Sequence, residues 1–151
     1  MDYTLELVVV PVSDVDRAKA FYIDQAGFKL EVDTGTSMGA EFRVVQLTPP
    51  GSACSIAIGT GMQQMAPGSL HGLHLCVSDI EAAHDELTGR GTEVEEIFHF
   101  GAAGRTPGVD PERRSYATFM TFHDPDGNTW LVQEVKRDWK LVPVKLDEIA
   151  A

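Results

Sequence analysis

Basic residues are scarce in this chain. Twelve Lys and Arg stand against 23 Asp and Glu, for a formal charge of −11. A general nucleic-acid binder must neutralise phosphates, and an anionic membrane surface also asks for positive charge, so neither partner is expected. A cationic ligand would be drawn to such a chain, though acidity of this order mainly serves solubility. Cysteine is scarce too: Cys54 and Cys76 form no CxxC pair and are too few for a disulfide framework. Reduced thiols and a cytoplasmic location are the expectation. No apolar run approaches the ~18 residues that a membrane helix needs. The opening MDYTLELVVV carries an acid and no basic residue, so it does not read as a secretory signal. No P-loop, GxSxG elbow or dinucleotide fingerprint is present. What remains, 151 residues at 43% hydrophobic and 23% charged, suits one soluble unit or two small fused modules.

The chain is organised by a pattern that occurs twice. Residues 5–12 (LELVVVPV) are nearly continuous aliphatic sequence, as a strand covered on both sides would be. Ser13 and Asp16 approximate a capping box, and Val15, Ala18, Phe21 and Tyr22 then recur at helical spacing until Gly27. Strands are predicted over 28–33, 42–47 and 54–58, the last two separated by Thr48-Pro49-Pro50-Gly51. A strand over 70–77 opens the second unit, Ser78-x-x-Glu81 is a capping box, and Ile80, Ala83 and Leu87 form the helical stripe. Further strands are predicted over 92–98, 116–122 and 129–135. The stretch 99–115 is rich in Gly and Pro and reads as a long loop, of the kind that often serves as a lid.

Val12-Ser13-Asp14 returns as Val77-Ser78-Asp79, and Val8, Val10, Val15 and Ala18 return as Leu73, Leu75, Ile80 and Ala83. Pro49-Pro50-Gly51 returns as Pro125-Asp126-Gly127. The chain therefore reads as an α+β protein of two tandem βαβββ modules, a mixed sheet with flanking helices, that bury one shared surface. Module one spans 4–59, a linker 60–69 and module two 70–135, with a C-terminal extension over 136–151 whose weak apolar pattern leaves room for a partner contact.

The early VxDxxRAxxFYxxxxGF pattern, together with DPDGN (Asp124 to Asn128) ahead of the last strand, resembles the vicinal-oxygen-chelate superfamily: glyoxalase I, extradiol dioxygenases, and fosfomycin- and bleomycin-resistance proteins. The likeness covers about 4–135. It implies sheets curled into a cup, usually a homodimer, and, in metal-dependent members, four strand positions that hold one divalent ion and polarise vicinal oxygens of the substrate. In those members the first-strand ligand stands seven residues ahead of the Asp of VxD. That falls on Leu7 and Gly72. The last-strand ligand stands four residues after the Gly of DPDG, on Leu131, and the repeat carries it back to Ser55. Leu and Gly have no donor atom and a lone Ser is a poor ligand, so the chelating set is missing and no metal is expected. A divalent ion enters only if the register slips.

Strand parity sorts the rest. Val8, Val10, Val12, Leu73, Leu75, Val77, Trp130 and Val132 should face the helices. Leu7, Val9, Gly72, His74, Cys76, Leu131 and Gln133 should face the cup, a mostly apolar surface with a few polar groups. His74 is the candidate proton carrier, set against the alternative of a hydrogen-bonded interior histidine. Gln133 could orient a ligand amide or hydroxyl. His71 should point away from His74, and Glu134 should lie on the helix side. Arg105, Arg113 and Arg114 on the presumed lid could clamp an anionic group, against the alternative of solvated loop cations. His123 to Asn128 reads as a tight turn rather than a metal loop.

Together these readings predict a metal-independent protein that binds a small, partly apolar molecule through Leu7, Val9, Ser55, Gly72, His74, Leu131, Gln133 and Arg105. The alternative is a metal-dependent lyase, isomerase or dioxygenase of the glyoxalase type, with a non-standard site built from His74, Gln133 and His71 or Glu134.

Overall fold

In the computed structural model, residues 1–62 and 65–136 are described; the expected C-terminal extension beyond 136 lies outside them. The strand order follows the predicted repeat. Module one runs β1 (Leu7–Val9), α1 (Val15–Ala20), β2 (Lys29–Asp33), β3 (Arg43–Thr48) and β4 (Ser55–Thr60). Module two runs β5 (His71–Val77), α2 (Ile80–Gly89), β6 (Phe98–Gly101), β7 (Gly104–Pro107), β8 (Thr118–His123) and β9 (Thr129–Glu134). Hydrogen bonding divides the strands into a four-stranded sheet, β1-β4-β3-β2, and a five-stranded sheet, β5-β9-β8-β6-β7. In each sheet the first strand runs parallel to the last, and the remaining neighbours are antiparallel.

Local chemistry explains where the elements depart from expectation. Strand β1 stops at Val9 because Pro11 has no N–H for a ladder. The Pro11 carbonyl instead accepts from Asn128 Nδ2 at 2.8 Å and from Gly68 N at 3.1 Å. Both helices are capped one residue later than the Ser-based boxes suggest. Asp14 accepts from Arg17 N and Asp79 from Ala82 N, each with an extended backbone. Helix α1 then widens into a π-helical turn over Phe21–Gln25, closed by Ala26 N to the Phe21 carbonyl at 3.0 Å. The stretch 99–115 is not a plain loop: β6 and β7 form a hairpin that extends the five-stranded sheet. The strand expected over 92–98 shrinks to one bridge, Val94 with Phe122, before β6 begins.

One core lies between the sheets. Val45, Leu47, Ile56 and Ile58 from the four-stranded sheet join Met120, Phe122, Trp130 and Val132 from the five-stranded one, with Phe21, Tyr22 and Ile80 from the helical segments. Phe122 stacks on Trp130 at 6.0 Å and 2°, and Tyr22 and Phe28 meet Trp130 edge-on. Burying a ring of this kind removes roughly 150–250 Å² from water, worth at most about 4–6 kcal/mol each.

The family-like motifs sit in this junction. Tyr22 Oη donates to Asp124 Oδ2 at 2.8 Å and accepts from Trp130 Nε1 at 3.0 Å. Asp124 also accepts from the backbone N–H groups of Asp126 and Asn128 and from Asn128 Nδ2. The Arg17 guanidinium donates to the Pro125 carbonyl at 2.8 Å, and Ser13 N donates to Asp126 Oδ2 at 3.1 Å. The FY and DPDGN residues are thus the polar bolt between the modules. Burial first, then the neighbouring Asp124 charge, pushes the Tyr22 phenol far above its ordinary range, so it stays a neutral donor.

Candidate functional site

With the helices covering one face of each sheet, the opposite faces stay open. On the four-stranded sheet that face carries Leu7, paired with Ser55, and Val9, paired with Ala57. Ser55 is buried and its hydroxyl is engaged with Thr48 Oγ1 at 2.7 Å. Register also revises the slot carried back from Leu131. The residue five ahead of the motif Asp pairs with Ala57 in module one (Val9) and with Leu131 in module two (His74). Ala57 is therefore the counterpart of Leu131, and it has no more donor capacity than Ser55.

Gly72 makes the largest difference to the site. It lies in a bulge, at φ +103°, between His71 and Leu73. Positive φ of this size suits glycine alone, and the extra residue reverses the parity of everything before it. His71 therefore faces the same side as His74, contrary to the alternation expected of residues three apart, and pairs with Thr129. His71 Nδ1 lies 2.7 Å from Thr129 Oγ1. The same hydroxyl lies 3.3 Å from Nδ1 of His123, the last residue of β8, and His123 Nε2 lies 3.4 Å from Glu95 Oε1. Glu95 is fixed by its N–H to the Thr121 carbonyl and approaches the Arg105 guanidinium at 3.9 Å. A polar string thus crosses the sheet from β7 to β5.

Beside it lies an aromatic shelf. Phe98, Phe100 and Phe119 are mutually 5.5–5.9 Å apart, and the Arg105 guanidinium stands 3.7 Å over the Phe98 ring. Phe100 is 63% exposed. The hairpin thus turns a stretch read as a lid into part of the platform. The F-x-F alternation at Phe98 and Phe100 was the available sign, masked by the glycines that follow.

The other predicted residues are more scattered. His74 is exposed and has no hydrogen-bond partner among the described residues, so it is not a satisfied interior histidine. It lines a cavity of about 220 Å³ beside the open edge of β5, with Pro49, Pro50 and Cys76. A neighbouring cavity of about 240 Å³ reaches past Phe28 to Leu87 and Arg90. Gln133 is half-buried and directs Nε2 at Cys76 Sγ, 3.5 Å away. Leu131 is half-buried between His74 and Thr121.

Arg113 and Arg114 do not serve as clamps. Arg113 donates to both oxygens of Glu134, at 3.1 and 3.0 Å, and also meets Glu81. Glu134 is fully buried on the helix side and accepts from Ile80 N at the start of α2, where a carboxylate is favoured. Arg114 grips Asp110 with two side-chain bonds of 3.0 and 2.9 Å, which hold that carboxyl down at about 2. Asp33 is held below the usual carboxylate range by Arg43, then Lys19 and the Gly35 N–H. These pairs secure the scaffold. Among the described residues no three His, Cys, Asp or Glu side chains converge into a metal-sized group.

Comparison with known proteins follows the same lines. The model of the glyoxalase/bleomycin resistance protein/dioxygenase superfamily matches residues 4–132. TnmS3, an antibiotic binding protein from Streptomyces sp. CB03234, is 31% identical and superposes with a TM-score of 0.68 over 89% of this chain and 97% of its own. A glyoxalase/bleomycin resistance protein from the same organism is 32% identical, with a TM-score of 0.66, covering 87% and 100%. The uncharacterised protein YetH of Bacillus subtilis (strain 168) is 26% identical over 136 residues, 84% of this chain and 94% of its own.

Proposed function

Because the chain belongs to the glyoxalase/bleomycin resistance protein/dioxygenase superfamily, we propose that it binds a small, partly apolar molecule on the open face of the five-stranded sheet, and does so without the divalent ion of its metal-dependent relatives. The observation that carries this reading is the aromatic shelf on which the exposed Phe100 continues into the half-buried Phe119 and the buried Phe98, with Arg105 beside it. Aromatic faces take up a flat ligand by stacking and area burial, and a few adjacent polar groups orient it. The similarity to an antibiotic binding protein supports a ligand of that size and character. The metal-free reading rests on donor chemistry: Leu7, Ala57 and Leu131 offer hydrocarbon where ligands would stand, and Gly72 offers backbone.

On this reading Arg105, Leu131, His74 and Gln133 border the ligand, while Leu7, Val9 and Ser55 belong to the corresponding face of the other sheet. We extend the reading to a homodimer, which the same geometry supports. Each open face carries an exposed apolar residue, Val32 at 43% on one sheet and Phe100 at 63% on the other, and a second copy would supply the missing wall of the cup. Light scattering should give twice the chain mass; a monomer at micromolar concentration would refute the dimer.

The metal-dependent lyase, isomerase or dioxygenase remains the competing assignment. Metal content of the purified protein, with melting curves in added Zn²⁺, Ni²⁺, Mn²⁺ and Fe²⁺, separates the two. The metal-free reading predicts well under one ion per chain and no metal-specific stabilisation. One ion per chain, lost in His71→Gln or His74→Gln, would sink it.

A further inference from the structure

Resting on the proposed binding face, we infer that His71 is its proton acceptor, and that Glu95, His123 and Thr129 act as positioning residues that hold its imidazole in the accepting tautomer for a weakly acidic ligand hydroxyl such as a phenol. The hydrogen-bond directions carry this. The Glu95 carboxylate can only accept, so His123 presents Nε2–H to it across 3.4 Å. A neutral His123 then has a bare Nδ1. The Thr129 hydroxyl, 3.3 Å away, is the donor within reach. Its oxygen, having given its proton to His123, is left to accept from His71, whose Nδ1 is 2.7 Å away. His71 must then carry its proton on Nδ1, leaving Nε2 as a lone-pair acceptor. The Gly127 carbonyl, 3.4 Å from the Thr129 hydroxyl, competes for that proton, but His123 Nδ1 is the nearer acceptor at 3.3 Å.

The string has two further properties. It runs one way, so a proton taken up at His71 Nε2 is matched by the negative charge of Glu95 at its far end. Arg105, 3.9 Å from Glu95, also roofs Phe98, which joins the string to the aromatic shelf. A ring stacked on the shelf can turn a hydroxyl toward the string. The Gly72 bulge makes this possible by bringing His71 to the face at all. His74, by contrast, has no partner among the described residues to fix its tautomer.

Two measurements on the full chain test this. Long-range ¹H–¹⁵N NMR near pH 8 reads the tautomers directly. His71 should be the Nδ1–H form and His123 the Nε2–H form, and Thr129→Val should release His71 to the commoner Nε2–H form while Thr129→Ser retains the wild-type pattern. His71 as Nε2–H in the wild type would overturn the string. Binding is then measured at the same pH for 4-phenylphenol, which is neutral there, and its methyl ether, 4-methoxybiphenyl. The phenol should bind about five- to tenfold more tightly, as one hydrogen bond of ~1 kcal/mol predicts. That preference should vanish in His71→Gln and Thr129→Val. Equal binding of the two probes overturns the hydroxyl assignment and leaves the binding face standing. Binding of neither overturns both.

Discussion

Removing one oxygen from the middle of the protein, by Tyr22→Phe, should cost more than most surface changes combined. Tyr22 is 0% exposed, and its hydroxyl bridges two groups that have left water with it: the Asp124 carboxylate at 2.8 Å and the Trp130 indole N–H at 3.0 Å. Phenylalanine fills the same space, so no cavity opens. The loss is electrostatic. A hydrogen bond to a charged group is worth about 1.5–3 kcal/mol, and a buried donor left unpaired costs about 1–3 kcal/mol. Asp124 keeps its bonds from Asp126 N, Asn128 N and Asn128 Nδ2, which softens the first amount. Trp130 has no other acceptor among the described residues, so the second amount is felt in full. The two are not fully additive, and a loss of about 2–4 kcal/mol is expected. In a chain of this length that lowers the melting temperature by roughly 5–15 °C. Urea unfolding followed by far-ultraviolet circular dichroism should show a lower midpoint with an unchanged slope. A loss below about 0.5 kcal/mol would refute the idea that the FY and DPDGN motifs bolt the modules together.

Three further outcomes follow from buried or crowded groups. Glu134→Ala removes a fully buried carboxylate, strands the Ile80 N–H and leaves Arg113 with Glu81 alone, so it should destabilise by about 3–5 kcal/mol in the same assay. Gly59→Ala would put a Cβ 1.8 Å from the Arg43 carbonyl oxygen and should cost about 3 kcal/mol or more, or prevent folding. Gly89→Ala, with nothing within 4 Å, should be neutral or stabilising by up to about 1 kcal/mol; equal effects at the two glycines would contradict the packing at Gly59. In acid, Asp110 should matter most visibly. Its carboxyl is lowered from 3.8 to about 2 when folded, so its contribution is complete above the unfolded value and fades as pH falls through the folded one. Stability should therefore decline below about pH 4, with Asp33, which is lowered further, contributing over the same range and continuing below pH 2, and Asp110→Asn should remove its share of that decline.

Repetition and periodicity carried the fold because both are properties of long stretches. The Val-Ser-Asp echo and the aliphatic runs at 5–12 and 70–77 mark where β1, α1, β5 and α2 lie. The candidate site was harder to read because its decisive features are single-residue events. One glycine at φ +103° moved His71 across the sheet, and nothing in HGLH distinguishes a bulge from a straight strand. The hairpin of β6 and β7 hides in a Gly- and Pro-rich stretch that also fits an irregular loop, so the sequence does not single out Phe98 and Phe100. His123 and Thr129 are separated by a turn and meet His71 only through strand pairing of distant segments. Arg113 and Arg114 show the converse: exposed-looking cations in sequence, already committed to Glu134 and Asp110 in three dimensions.

The central claim is binding on the aromatic face without an ion, and a binding isotherm in metal-stripped protein tests it most directly. Protein dialysed against chelator should take up a flat aromatic probe saturably, one molecule per site. Affinity should fall at least tenfold in Phe100→Ser and Arg105→Ala and stay unchanged when divalent metal is restored. A probe that binds only after metal is returned, or binds equally well to both variants, would contradict the account.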